Sequence, residues 1–193
     1  MKNKKICVVG LGYVGLPLAV NLSKYFKIVG YDNNDQRIIN LRENNDKTKE
    51  IKNSELKKTK ILFTNNKSET KDCSVYIVTV PTPIDSRNKP LLSSLIDATK
   101  MIGSFIKNGD LIIYESTIFP GCTEEILIPL LEKISKKKLN KNFYVGYSPE
   151  RIDPGLSKFK LTNQAKIISA SNRMALNIIK KIYNKIIKKQ IFV

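Results

Sequence analysis

Histidine and tryptophan are missing from the 193 residues, and cysteine occurs only three times. Without histidine there is no His-based triad, no His general base, and little prospect of a zinc site. Cys7, Cys73 and Cys122 read as reduced thiols rather than a disulfide framework, Cys7 lying inside an apolar run. No apolar run reaches the roughly 18 residues that span a membrane. Lys2, Lys4 and Lys5 before an apolar stretch imitate a signal peptide. The glycine pattern that follows, Pro17 and the lack of a small-residue cleavage site argue against one, so the expected location is the cytoplasm. Acidic residues are also scarce, 17 against 34 Lys and Arg, for a net charge of +17. That balance suggests nucleic acid as a partner. Yet the arginines are only Arg37, Arg42, Arg87, Arg151 and Arg173, the lysines are scattered, and no aromatic interleaving or recognition motif accompanies them. Specific nucleic-acid binding is therefore not expected, only weak adhesion to polyanions.

The most informative stretch is Lys5 to Gly15, KICVVGLGYVG. Its first half is a short β-branched run with the character of a buried strand. Its second half is Gly-x-Gly-x-x-Gly, and Leu16 to Leu22 continue at helical spacing. Strand, glycine turn, helix is the order a dinucleotide site requires. Gly10 permits the tight turn, Gly12 lets the backbone approach a pyrophosphate, and Gly15 lets the helix pack on the strand with its N–H groups aimed at the phosphates. Glycines also gather in ordinary turns, and a plain βαβ unit is the alternative. Ile28-Val29-Gly30-Tyr31-Asp32 decides between them, being a second strand that ends in an acid about 20 residues on, where the fingerprint holds the adenosine ribose. A carboxylate there repels a 2′-phosphate and so favours NAD over NADP.

Further along, Asn33 to Arg42 reads as a short helix with Ile38, Ile39 and Leu41 inward. Arg37 on it is either a cofactor neighbour of Asp32 or a solvated helix arginine. Residues 44–60 form a polar excursion with one helical turn around Leu56. Strands are predicted at 61–64, 75–80, 111–114, 143–147, 167–170 and from 190 on, with helices over 92–107, 124–134 and 172–188 between them. Strands alternating with helices predict an α/β fold, a doubly wound, Rossmann-like parallel sheet with helices on both faces, in one domain over residues 1–193. Ligands of such sheets sit at the carboxyl ends of the strands. There the sequence places Gly10 to Gly15, Asp32, Pro81-Thr82-Pro83, Glu115-Ser116-Thr117 and Ser148-Pro149-Glu150-Arg151.

Thr82 and Thr117 offer hydroxyls to a ligand or simply cap turns. Glu150 is either a general base or water holder, or the partner of Arg151 or a lysine. Cys122 stands near a helix start, but with no base in view it reads as a packed thiol.

Four segments in order carry a resemblance: GLGYVGLPLA (10–19), VTVPTP (78–83), YESTIFPGCTEE (114–125) and YSPERIDPG (147–155). Together they resemble the UDP-glucose/GDP-mannose dehydrogenase family, most closely its UDP-N-acetylhexosamine 6-dehydrogenase branch, over essentially the whole chain. The resemblance implies two-step oxidation of a sugar C6 alcohol to a uronic acid with two NAD, for surface polysaccharide synthesis. In that family a cysteine thiolate traps the aldehyde, the hemithioacetal is oxidised to a thioester, and water releases the acid. It implies that Gly10, Leu11, Gly12, Tyr13, Val14, Gly15 and Asp32 hold the adenosine diphosphate, and that Arg37, Pro81 and Thr82 also contact NAD. Thr117 would lie by the nicotinamide and help place the catalytic water. Glu150 would assist hydrolysis at the sugar site, and Arg151 would open the sugar-nucleotide segment. No metal is implied, the substrate is a UDP-sugar, and full-length relatives form homodimers. The family's Gly-Gly-x-Cys, central helix and UDP-binding domain are not found in these 193 residues. The chain is therefore expected to be the NAD-binding part alone, inactive by itself, and the alternative is a non-catalytic dinucleotide-binding module or decayed gene product.

Overall fold

A computed structural model describes residues 4–150 and 165–187, together with the backbone of 190–192. Among the described residues eight strands make one sheet: β1 (Lys5–Val9), β2 (Lys27–Tyr31), β3 (Leu62–Thr64), β4 (Val75–Val78), β5 (Asp110–Tyr114), β6 (Phe143–Tyr147), β7 (Lys166–Ala170) and β8 (Gln190–Phe192). Their spatial order is β3-β2-β1-β4-β5-β6-β7-β8. The chain starts mid-sheet at β1, works outward to β3, then returns to β4 on the other side of β1. That reversal opens a crevice at the carboxyl ends of β1 and β4, the usual ligand position in such sheets.

The helices are α1 (Gly15–Ser23), α2 (Asp35–Arg42), α3 (Asn53–Leu56), α4 (Ser93–Gly103), α5 (Ile128–Ser135) and α6 (Arg173–Tyr183). Side-chain caps start two of them. Asn34 accepts from the Arg37 N–H, and Asn172 accepts from the Ala175 N–H, satisfying donors that a first turn otherwise leaves orphaned. Successive residues of β1 face opposite ways. Ile6 and Val8 join Leu16, Leu18 and Leu22 of α1 and Ile179 and Ile182 of α6 in one core layer. Cys7 and Val9 join Leu95 and Ile102 of α4 and Leu131 of α5 in the other. Helices thus cover both faces, as expected.

Three details depart from the sequence reading. Ile39 is 47% exposed, whereas Ile38 and Leu41 are buried. Residues 38 and 41 share one face of an eight-residue helix, and position 39 lies about 100° away. Residues 123–127 form a π-turn leading into α5, not the start of a regular helix. Most important, β7 runs antiparallel to β6, pairing Gly146 with Ala170 and Tyr147 with Ser169, although β1 to β6 are parallel to one another and β7 pairs in parallel with β8. The first residue of β7, Lys166, therefore lies at the carboxyl rim of β6 rather than at the opposite edge. Among the described residues no helix is long and apolar enough to cross a membrane.

Candidate functional site

The glycine loop is fixed from both sides of β1. The Gly10 N–H donates to the Tyr31 carbonyl at 2.8 Å, and the Thr79 hydroxyl donates to the Gly10 carbonyl at 2.7 Å. Gly10 itself has φ +92°, a left-handed conformation that disfavours any other residue. The three glycines of the motif serve three different needs. A Cβ at Gly15 would stand 1.8 Å from the Gly10 carbonyl oxygen and 2.5 Å from Thr79 Oγ1, so α1 packs directly on the loop. A Cβ at Gly12 would meet nothing within 4 Å. The protein's own packing gives no reason for glycine at 12, and the open space in front of it fits a pyrophosphate brought against the backbone.

Leu11, between the first two glycines, is clamped at both its peptide groups. Its N–H donates to Asp32 Oδ2 at 2.8 Å. Its carbonyl accepts from Arg37 Nε at 2.8 Å and a terminal guanidinium nitrogen at 2.6 Å. The other Asp32 oxygen accepts the Asn34 N–H at 2.9 Å. A carboxylate has about four acceptor positions, so Asp32 retains capacity for two ribose hydroxyls. Asp32→Ala is expected to weaken NAD binding by about 1.5–3 kcal/mol for each charge-assisted bond lost. Calorimetry with NAD checks this, and unchanged affinity would remove Asp32 from the ribose.

A cavity of about 700 Å³ begins at this loop. Gly10, Leu11, Gly12, Tyr13, Val14 and Asp32 line one end. Pro81 and Thr82 follow β4, Thr117 follows β5, Glu150 follows β6, and all four line the same cavity. Gly15 and Arg37 do not, since one sits under the loop and the other behind it. Arg151 lies outside the described residues. The Thr82 hydroxyl donates to the Thr117 carbonyl at 2.6 Å, and Ser116 Oγ donates to the Val80 carbonyl at 2.7 Å, lacing the two strand-end loops together. Ser93, Ser94 and Asp97 at the start of α4 also reach the cavity, which the amphipathic pattern of that helix did not reveal. Cys122 is fully buried, and burial pushes its thiol up, as befits a packed and unreactive group.

Glu150 has the lysine partner that was one of its two readings. Lys166 Nζ donates to Glu150 Oε2 at 2.8 Å and to Glu115 Oε2 at 2.9 Å. The Tyr183 hydroxyl bonds the other Glu115 oxygen. The Lys166 side chain is 4% exposed and that of Glu115 is 0%. Burial would pull the Lys166 ammonium down, but the two carboxylates outweigh it and hold the group above its ordinary value. Burial pushes the Glu115 carboxyl up, with Lys166 opposing and Glu150 adding to the rise. Lys166 and Tyr183 were missed by the sequence reading. An all-parallel sheet would put Lys166 at the wrong rim, and only the antiparallel register brings it opposite Glu150.

With this geometry in view, comparison with known proteins is informative. The family profile described as "UDP-glucose/GDP-mannose dehydrogenase family, NAD binding domain" matches residues 4–187. A UDP-N-acetyl-D-glucosamine 6-dehydrogenase of Salmonella typhi is 46% identical over 184 residues, which is 95% of this chain and 43% of that protein. One of the same name from Pseudomonas aeruginosa is 46% identical over 188 residues, 97% of this chain and 44% of its own length. The solved structure of a UDP-D-ManNAc dehydrogenase from Pyrococcus horikoshii superposes with a TM-score of 0.90 at 33% identity, covering 97% of this chain and 46% of that one. The chain thus spans a little under half the length of these relatives. The glycine loop, the rim residues and these similarities agree: the chain belongs to the UDP-glucose/GDP-mannose dehydrogenase family and forms its NAD-binding domain.

Proposed function

We propose that this chain is the cofactor-binding portion of an NAD-dependent dehydrogenase that oxidises the C6 alcohol of a UDP-N-acetylhexosamine to a uronic acid, supplying surface polysaccharide synthesis. The observation that carries this reading is the single cavity joining the glycine cradle at Gly12 to Thr117 and Glu150. Relatives named as UDP-N-acetyl-D-glucosamine and UDP-N-acetyl-D-mannosamine dehydrogenases support the substrate class.

Bound NAD supplies the hydride acceptor. The backbone around Gly10 to Val14 and the N-terminus of α1 bind its pyrophosphate, where no side chain caps the helix and no acid occupies the first turn. Asp32 orients the adenosine ribose. The bond from Thr82 to the Thr117 carbonyl holds the β5 loop against the β4 loop, leaving the Thr117 hydroxyl to meet the reacting end of the ligands. Glu150, held by Lys166 at the cavity wall, would accept a proton from the water that attacks the C6 thioester carbon, whose C–S bond breaks to return the thiolate of the family's cysteine and release the acid. Arg151 belongs to the sugar-nucleotide side of the site on the strength of the family motif.

The family's Gly-Gly-x-Cys does not occur in these residues. The purified 193-residue chain is expected to bind NAD yet form no NADH with any UDP-N-acetylhexosamine. Absorbance at the NADH band checks this, and sustained NADH formation would overturn it.

A further inference from the structure

Asp46 sits in the polar excursion after α2, far in sequence from the glycine loop and outside the cavity. Its side chain is 0% exposed. One carboxylate oxygen accepts from an Arg37 guanidinium nitrogen at 2.7 Å, the Thr48 N–H at 3.0 Å and the Thr48 hydroxyl at 2.7 Å. The other accepts the N–H groups of Glu50 and Ile51, both at 2.9 Å. Residues 46–51 thereby fold around one buried acid, and that acid fixes the guanidinium that grips the Leu11 carbonyl.

We infer that Asp46, acting through Arg37, is a positioning residue for the pyrophosphate-binding loop. The inference rests on the reading of this loop as the NAD site. Asp32 fixes the peptide plane before Leu11 and Arg37 fixes the plane after it, so the N–H of Gly12 is aimed before any ligand arrives. A site whose donors are already oriented does not lose binding free energy to ordering them. The Arg37 side chain is 11% exposed, and its donors are directed at Leu11, Asp46 and Thr48. It acts on the cofactor by holding the loop, not by reaching into the cavity. Arginine suits the task because its planar fork spans the Leu11 carbonyl and the Asp46 carboxylate at once, which an ammonium cannot do in the same geometry.

The test compares NAD, ADP and adenosine as ligands of the wild-type chain, Asp46→Asn and Arg37→Lys. Affinities come from calorimetry or from amide NMR titration for the weak ligand. Both variants are expected to bind NAD and ADP at least about tenfold more weakly, as loss of one charge-assisted bond in the clamp implies. Their affinity for adenosine, which lacks phosphates, should stay within about twofold, and the amide resonances of Gly12, Tyr13 and Val14 should shift in the free variants. If Asp46→Asn fails to fold, Arg37→Lys decides alone. Unchanged NAD affinity in a folded variant overturns the inference, as does an equal loss for adenosine, which would mark a general structural effect. Failure of the wild-type chain to bind NAD would overturn the cofactor reading as well, and so is distinguishable from failure of the clamp alone.

Discussion

Lys166→Met is expected to destabilise the chain by about 3–5 kcal/mol, because removing one member of a buried ion pair leaves its partners uncompensated. For a protein of this size that corresponds to a fall in Tm of roughly 6–20 °C. Methionine nearly matches the lysine stem in volume, so the loss reports charge rather than a cavity. The group that bears the cost is Glu115, which is fully buried, while Glu150 at the cavity wall loses one of its contacts. The penalty also carries a pH signature with a definite sign. Glu115 is already raised by burial, and Lys166 is the main influence holding it down. Without Lys166 its folded-state value rises further. A group raised on folding contributes stability that is present below its unfolded value and is lost as the pH rises through its folded value. The deficit of Lys166→Met relative to wild type should therefore narrow as the pH falls from neutrality towards the ordinary glutamate range near 4.3. Thermal melts across that interval check it. A constant deficit would mean that Glu115 does not feel the ammonium.

Such an ion cluster is weak evidence of stabilisation for its own sake, since apolar residues of similar volume often serve as well. Its position is more telling. One ammonium shared between two carboxylates at the cavity rim fixes where Glu150 points, while Tyr183 on α6 fixes Glu115 from behind. The cluster ties β5, β6, β7 and α6 together at the one edge where chemistry is expected.

How much of this was legible in the sequence depended on whether the signal was local. Residues 75–80 read as a central strand and 111–114 as the next one, because strands buried on both faces are continuous apolar runs, and the observed strands are Val75–Val78 and Asp110–Tyr114. Asn172 was legible as the cap of the last helix, a polar residue just ahead of apolar periodicity, whereas the cap at Asn34 was not, since the reading began that helix at Asn33. The glycine loop was legible from its spacing between a strand and a helix, although only Gly10 and Gly15 answer a demand of the protein's own packing. Ile39 was misplaced since two turns of helix contain too few apolar residues to fix a phase. The direction of β7 was hidden because an apolar run has no polarity of its own, and that one ambiguity concealed Lys166. Asp46 was passed over for a related reason. The excursion around it is mostly polar, and nothing local separates a solvated aspartate from one that folds the next five residues around itself. Arg37 was noticed for its closeness to Asp32, but its partners, Leu11 and Asp46, emerge only when the chain is folded.

The central claim is that the space in front of Gly12 belongs to a pyrophosphate, and two alanine substitutions three residues apart separate ligand from packing. At Gly15 the added methyl collides with the Gly10 carbonyl at 1.8 Å. Backbone cannot give way as a side-chain tip can, so Gly15→Ala should lose stability at or beyond the upper end of the ~1–3 kcal/mol typical of overpacking. At Gly12 the methyl meets no protein atom within 4 Å, so Gly12→Ala should melt within a few degrees of wild type. Its methyl would instead occupy the approach of the phosphates, and NAD affinity is expected to fall about a hundredfold, close to 2.7 kcal/mol. The direct measurement is calorimetric titration of NAD into wild type and Gly12→Ala, with a thermal melt of each. One-to-one binding by wild type, with affinity lost and stability kept in Gly12→Ala, is the predicted result. Equal NAD binding by a well-folded Gly12→Ala, or no binding by wild type, would contradict it.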